Sequence, residues 1–261
     1  MHPVFRRLWG VIAIAMAGTM GLPALPAEAA PKPATLRVLV TNDDGVGAPG
    51  IDALVLGLRK LERVRVTVVA PATNQSGQSD KTSPAPLTTT EATTASGYPA
   101  IAVQGFPADS VNFALDGGIK TKPHLVASGV NAGANPGPVV NVSGTVGAAR
   151  AAVRRGVPAV AISQGSGEPP DYAAGTREAV RWVKKHRTAL TKKRPVPPTD
   201  VANINVPTCT TGKVRGLVKV PLATGGDITA PSDCTSKLKN PADDVIALAN
   251  GYATLTKVPP G

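Results

Sequence analysis

Val38-Leu39-Val40-Thr41-Asn42-Asp43-Asp44-Gly45 is an apolar strand that ends in two adjacent carboxylates and a glycine. In an open parallel α/β sheet, ligands bind in the crevice beyond the carboxyl ends of the strands, so acids placed there sit where a hard cation or a phosphate binds. Adjacent residues on an extended strand face opposite ways, but past the strand end the turn at Gly45 lets both carboxylates approach one ion. Asn-Asp-Asp-Gly is also ordinary turn chemistry, with an Asx hydrogen bond, and the stretch alone leaves both readings open.

Outward from this stretch, strand and helix patterns alternate from Leu36 to about Pro207, the signature of βαβ units around a parallel sheet. Leu36 to Val40 is the first strand, and Ile51, Leu54, Val55 and Leu58 recur at helical spacing behind Pro49. Val64, Val66, Val68 and Val69 make a second, β-branched strand that ends in the polar loop Thr73 to Ser79. Residues 80–105 are rich in Thr, Ser, Pro and Ala without clear period, and read as short strands or a flap. Pro107-Ala108-Asp109 starts a helix that stops at Gly117-Gly118. The strand Leu125 to Val130 delivers Asn131 into the glycine-rich loop Asn131-Ala132-Gly133-Ala134-Asn135-Pro136-Gly137. Ser143 is placed to cap a helix through Val146, Ala149 and Val153 that ends at Gly156. A strand over Val157–Ile162, a helix over Tyr172–His186 and a strand over Val201–Val206 follow. The tail from Cys209 reads as short strands or an arm.

Arg6 and Arg7 precede an apolar stretch from Leu8 to about Leu22, and Ala27-Glu28-Ala29 offers the small residues a signal peptidase reads. The stretch is shorter than the roughly 20 residues that span a bilayer. The expectation is an exported protein (secreted, periplasmic or attached to the cell wall), cleaved near Ala29. Removing Arg6, Arg7 and Glu28 takes the net charge from +11 to +10, a basic balance that attracts phosphorylated substrates and other polyanions. No zinc-finger spacing or basic helix with interleaved aromatics is present, and aromatics are only 3% of the chain, which weakens a sequence-specific nucleic-acid reading. The chain's two cysteines, Cys209 and Cys234, suit a disulfide in an exported protein better than a thiol or metal site.

Four polar loops therefore gather at one sheet edge: Asp43-Asp44, Asn74 to Ser79, Asn131 to Asn135, and the helix start at Ser143-Gly144-Thr145. Carboxylates, hydroxyls and amide carbonyls are oxygen ligands, suited to Mg²⁺, Mn²⁺ or Ca²⁺. The helix start offers backbone N–H groups and its dipole to an anion, with plain N-capping as the alternative. Neither a P-loop nor a Gly-x-Gly-x-x-Gly fingerprint after the first strand is present. His124 opens a strand at the opposite end from the acids and His186 sits near a helix C-terminus, so histidine chemistry is disfavoured. A metal-activated water or an aspartate is left as the nucleophile on a phosphoryl centre.

Thr41-Asn42-Asp43-Asp44-Gly45 with Ala48-Pro49-Gly50, Val69-Ala70-Pro71 with Gln75-Ser76-Gly77, Gly105-Phe106-Pro107-Ala108-Asp109, Ser128-Gly129-Val130-Asn131-Ala132-Gly133, Ser143-Gly144-Thr145-Val146, Gly156 to Ala161 and Asn203-Ile204-Asn205-Val206-Pro207 occur in collinear order. Together they resemble the SurE family of metal-dependent 5′/3′-nucleotidases. The resemblance implies a Rossmann-like three-layer α/β/α sandwich with a mostly parallel sheet, here with a C-terminal arm. It further implies one divalent cation, Mg²⁺ or Mn²⁺, held by Asp43, Asp44, Ser76 and Asn131, with Asp43 and Asp44 catalytic. Asn131, Asn135, Ser143, Gly144 and Thr145 are the candidate phosphate contacts. The implied reaction is hydrolysis of nucleoside 5′- and 3′-monophosphates to nucleoside and phosphate by a homodimer or homotetramer. Gly47, the segment Ser79 to Ser83, and Val142 in place of a common tyrosine depart from the family pattern beside the pocket and bear on base preference. Two alternatives stay open: a metal-dependent nucleotide- or phosphate-binding protein without turnover, and a phosphatase of polyphosphate or sugar phosphates. The chain divides into a signal peptide (1–29), a phosphatase core (36–207) and a C-terminal extension (208–261) belonging to the same domain.

Overall fold

A computed structural model of the chain describes residues 34–167 and 170–261; the signal peptide expected over 1–29 lies outside the described residues. In chain order the elements are β1 (Leu36–Thr41), α1 (Pro49–Arg59), β2 (Val64–Pro71), β3 (Thr89–Thr93), β4 (Pro99–Val103), α2 (Pro107–Phe113), β5 (Leu125–Ala132), α3 (Gly144–Arg154), β6 (Ala159–Gln164), α4 (Tyr172–Leu190), β7 (Val201–Val206), β8 (Leu217–Lys219), α5 (Asp244–Ala249) and β9 (Ala253–Val258).

The strands form a nine-stranded sheet in the order β3-β4-β2-β1-β5-β6-β7-β9-β8. Strands β4, β2, β1, β5, β6 and β7 run parallel. Antiparallel pairs close both sides: β3 against β4, and β9 against β7, with β8 running parallel to β9. Strand β1 is followed by a crossover to β2 on one side, while β5 pairs on its other side. The order therefore reverses between β1 and β5, and that switch point is where an open α/β sheet leaves a crevice.

Side-chain alternation along the strands divides the interior into two layers. Val38 and Val40 of β1, Leu125 and Ala127 of β5, and Val160 and Ile162 of β6 pack with Ile51, Leu54, Val55 and Leu58 of α1 and Ala179 and Val183 of α4. Leu39, Val126, Ala159 and Ala161 face the other way, onto Ala108 and Val111 of α2 and Val146, Ala149 and Val153 of α3. With both faces covered, the strands carry apolar residues at nearly every position, which is why they read as continuous runs.

The region 80–105, legible only as short strands or a flap, contains the β3–β4 hairpin, and β4 extends the sheet beyond β2. Helix α4 runs one turn past the expected His186, to Leu190. After Pro207 the chain is part of the sheet: β9 inserts between β7 and β8, with α5 before it. Cys209 and Cys234 are joined by a disulfide with Cα atoms 5.7 Å apart. Among the described residues, no helix is long and apolar enough to cross a membrane.

Candidate active site

The acids emerge at the switch point because the turn after β1 is tightly constrained. Gly45 has φ +103°, and a Cβ there would press on the Thr73 backbone at 3.2 Å, so this position needs glycine for both conformation and space. Asn42 is fully buried, and its amide nitrogen donates to Gly45 O at 2.8 Å, fixing the turn from inside. Pro49 starts α1, and at Gly50 a Cβ would lie 1.9 Å from Val130 O. That close approach seats the start of α1 against the end of β5, the strand that carries Asn131.

Asp43 is 3% exposed, and its Oδ1 accepts a 2.5 Å hydrogen bond from the Thr145 hydroxyl. Burial raises its pKa above the usual carboxylate value; the Thr145 hydroxyl and the Gly144 and Thr145 backbone amides oppose the rise. Asp44, half-buried, accepts from Ala132 N at 3.3 Å. Burial first, and the Asp43 charge second, push its pKa up to about 6. Neither carboxylate is in an ion pair among the described residues. Two converging carboxylates without a compensating cation are costly in themselves, and a bound cation removes that cost.

The neutral oxygens of the proposed ligand set are tied to the same two acids. Gln75 N donates to the Asp43 carbonyl at 2.7 Å, which brings the loop carrying the exposed Ser76 alongside; an Asx turn from Asn74 to Ser76 N holds its shape. Asn131 adjoins Ala132, the residue that bonds Asp44. Its amide nitrogen is engaged by Gly133 O at 2.6 Å, so its carbonyl oxygen is the end left for a ligand. Two carboxylates, a hydroxyl and an amide carbonyl form an all-oxygen set that fits a hard divalent cation. Among the described residues no group of three or more His, Cys, Asp and Glu is placed to hold a metal, so any metal here relies on neutral donors.

The N-terminus of α3 also converges on the acids. Ser143 caps the helix, its hydroxyl accepting from Val146 N at 3.2 Å. The next amides, of Gly144 and Thr145, face Asp43, so the Asp43 carboxylate lies against this helix start. Gly144 is required: a Cβ would stand 2.8 Å from Asp43 Cβ.

The Survival protein SurE family profile matches residues 38–225. The chain belongs to the SurE family. A 5′-nucleotidase SurE of Methylococcus capsulatus is 37% identical over 182 residues, covering 69% of this chain and 68% of that protein. One of Syntrophobacter fumaroxidans is 39% identical over 183 residues, 70% of each. The crystal structure of the SurE protein from Aquifex aeolicus superposes with a TM-score of 0.69 at 27% identity, covering 86% of this chain and 94% of that one.

Within this SurE fold Asn135, a candidate contact already read from the sequence, is held by residues that sequence reasoning left out of the site. Asn135 is 6% exposed: its backbone N donates to Asn205 Oδ1 at 2.6 Å, its side-chain nitrogen to Ser163 at 2.8 Å, and its backbone carbonyl accepts from the Asn203 side chain at 3.0 Å. Asn203 and Asn205, fully buried two positions apart on β7, brace the glycine-rich loop from below. Two buried amides at strand spacing in an apolar strand are a legible signal of such a brace. Asp244, also fully buried, accepts from Gly137 N at 3.0 Å and Ala223 N at 2.8 Å, tying that loop to α5. The histidines do structural work away from the site. His124 Nδ1 accepts from Arg37 N, and His186 stacks on Trp182 with its Nδ1 on Trp182 O.

Proposed function

We propose that this SurE protein is an exported, divalent-cation-dependent phosphomonoesterase that hydrolyses nucleoside monophosphates to nucleoside and phosphate. The observation that carries the reading is the uncompensated Asp43–Asp44 pair at the β1–β5 switch point, in a chain whose relatives are named 5′-nucleotidases.

Asp43, Asp44, Ser76 and Asn131 are the proposed ligands of one cation, Mg²⁺ or Mn²⁺. A bound divalent cation would supply Lewis-acid charge for the phosphoryl oxygens and lower the pKa of a water. The chain's own contribution is preorganisation. Thr145 and the two amides at the start of α3 hold the Asp43 carboxylate in place and favour its charged form. Ala132 N orients Asp44, which is ionised above about pH 6. Asn135, Ser143, Gly144 and Thr145 remain the proposed phosphate contacts: the Ser143 hydroxyl, which accepts from Val146 N, keeps its own O–H to donate, while the Asn135 amide nitrogen and the Thr145 hydroxyl also hold the loop and Asp43 in position. Export is supported by the Arg6-Arg7, apolar, Ala27-Glu28-Ala29 sequence and by the Cys209–Cys234 bridge, which suits an oxidising compartment.

The test is orthophosphate release from a panel of nucleoside 5′- and 3′-monophosphates, with Mg²⁺ or Mn²⁺ and with chelator. Sugar phosphates and polyphosphate belong in the same panel, because the basic charge favours polyanions generally. Cation-dependent release from at least one nucleotide is expected. Silence on every nucleotide from a folded protein, or release that chelator leaves unchanged, refutes the reading. For export, the mature protein is expected outside the cytoplasm with its N-terminus near Ala30.

A further inference from the structure

The loop between β2 and β3 that carries Ser76 is tied at both ends. Gln75 N donates to Asp43 O at 2.7 Å, and Ser83 N donates to the buried Asp109 carboxylate of α2 at 3.0 Å. Between these ties Ser76 and Gly77 are exposed, and the half-buried Ser79 is the residue seated on the rest of the molecule. Ser79 has φ +56°, a left-handed conformation that residues with a side chain seldom adopt and keep only where their surroundings impose it. Its N donates to Val142 O at 3.1 Å and its hydroxyl to Asn141 O at 2.7 Å. Its carbonyl oxygen lies against α3, where a Cβ on Gly147 would stand 2.0 Å from it.

Two arginines one turn apart on α3 extend this contact. Arg150, 9% exposed, donates from Nη2 to Asn141 Oδ1 at 3.2 Å and from Nε to Pro259 O at 3.1 Å. Arg154 donates from a single nitrogen, Nη1, to Asp80 Oδ2 at 2.9 Å and to Pro260 O at 2.6 Å. The segment that follows β9 is thereby joined across α3 to the loop of Ser76. The Arg154 and Asp80 side chains are 36% and 37% exposed, and an ion pair that open to solvent contributes little to global stability. What it does is local: it fixes Asp80, the neighbour of the strained Ser79 and four residues from Ser76.

We propose that Arg154 is a positioning residue, which with Asp80 and the Pro259–Pro260 segment latches the β2–β3 loop and so holds Ser76 beside Asp43 and Asp44 before a cation arrives. A loop fixed in advance does not have to be ordered on binding, and affinity gains by that amount. Released from Arg154, Asp80 no longer pins the left-handed turn at Ser79, and residues 76–80 are free to leave the acids. The inference rests on the reading of Ser76 as a cation ligand.

The experiment measures two things on the parent chain and its variants: amide hydrogen exchange at residues 76–80 in chelator, and Mn²⁺ affinity from the electron paramagnetic resonance of the free ion. R154M keeps the apolar stem and removes the donors; it should exchange at least fivefold faster at these amides and bind Mn²⁺ at least threefold more weakly. R154K should match the parent chain in both, because one ammonium nitrogen can make both contacts that Nη1 makes. Deleting residues 259–261 should act as R154M does. R155M removes the same charge from the next residue, whose partner Asp116 lies outside the loop, and should change neither quantity. Smaller effects in R154M or in the deletion, equal effects in R155M, or R154K behaving as R154M does would overturn the latch. A parent chain that exchanges slowly at residues 76–80 but binds no Mn²⁺ would instead overturn the cation reading, and with it the purpose assigned to the latch.

Discussion

Thr145→Val separates the polar support of Asp43 from its packing. Valine keeps the volume of a side chain that is fully buried, and removes only the hydroxyl that donates at 2.5 Å to an Asp43 carboxylate that is 3% exposed. A hydrogen bond to a charged group contributes about 1.5–3 kcal/mol net. Its loss acts on the ionised form alone, so the Asp43 pKa, already raised by burial, climbs further. Cation binding must then hold the carboxylate in its charged form without that hydrogen bond, and the half-saturating Mn²⁺ concentration for phosphate release should rise, with a ceiling of roughly 10- to 150-fold set by that contribution of about 1.5–3 kcal/mol. Thr145→Ser restores the donor while deleting one methyl group, which costs about 1 kcal/mol of stability but should leave the cation requirement near that of the parent chain. The assay is phosphate release at pH 7.5 across a Mn²⁺ titration, with circular dichroism to establish equal folding. A T145V requirement within threefold of the parent, or T145V and T145S behaving alike, would refute the role given to this hydroxyl.

Asp44 makes stability depend on pH with a defined sign. Its folded pKa of about 6 lies above the unfolded value near 3.9, so the folded state holds the proton more tightly. The stabilisation is complete below about pH 4 and disappears as pH rises through about 6; its ceiling is about 3 kcal/mol, reduced by the solvent exposure of the group. In chelator, the melting temperature of the parent chain relative to D44N should therefore fall between pH 4.5 and 7.5, and Mn²⁺ should restore it; a constant difference would exclude the shift. The Cys209–Cys234 bridge closes a 25-residue separation. In the chain-entropy model it contributes about 3 kcal/mol, so C209S/C234S should melt roughly 6–12 °C lower, and an unchanged midpoint by calorimetry would contradict that. D244N turns one of two buried acceptors towards its N–H partners as a donor, at a cost of about 1–3 kcal/mol, and should speed hydrogen exchange at residues 133–137. Unaltered exchange there would show that α5 does not hold the loop.

Most of the stretch from Leu36 to Val206 was legible because each element is locally consistent. The run from Val38 to Gly45 is apolar up to its last turn, Ser143 does cap α3, and Val201–Val206 is bounded as the sequence suggests. The C-terminal part resisted because its order is non-local. Strand β9 reads as an alternating Thr-rich segment, and nothing within it specifies insertion between β7 and β8. The same holds at the site. Asp43, Asp44 and the helix start at Ser143 carry local turn and cap chemistry and could be read directly. That the helix amides face Asp43, or that Asn135 is held by Asn203, Asn205 and Ser163, depends on contacts 28 to 102 residues apart. Asp244, at the start of a six-residue helix, gives no local hint that its partner is Gly137.

The most direct test of the acid pair is a side-by-side assay of the parent chain and D44N for orthophosphate release from nucleoside 5′-monophosphates in saturating Mn²⁺, with matched folding. Asn keeps the shape and removes one charge. A cation ligand at this position requires release to fall by at least a hundredfold while the fold persists; turnover within threefold of the parent chain would mean that the chemistry lies elsewhere.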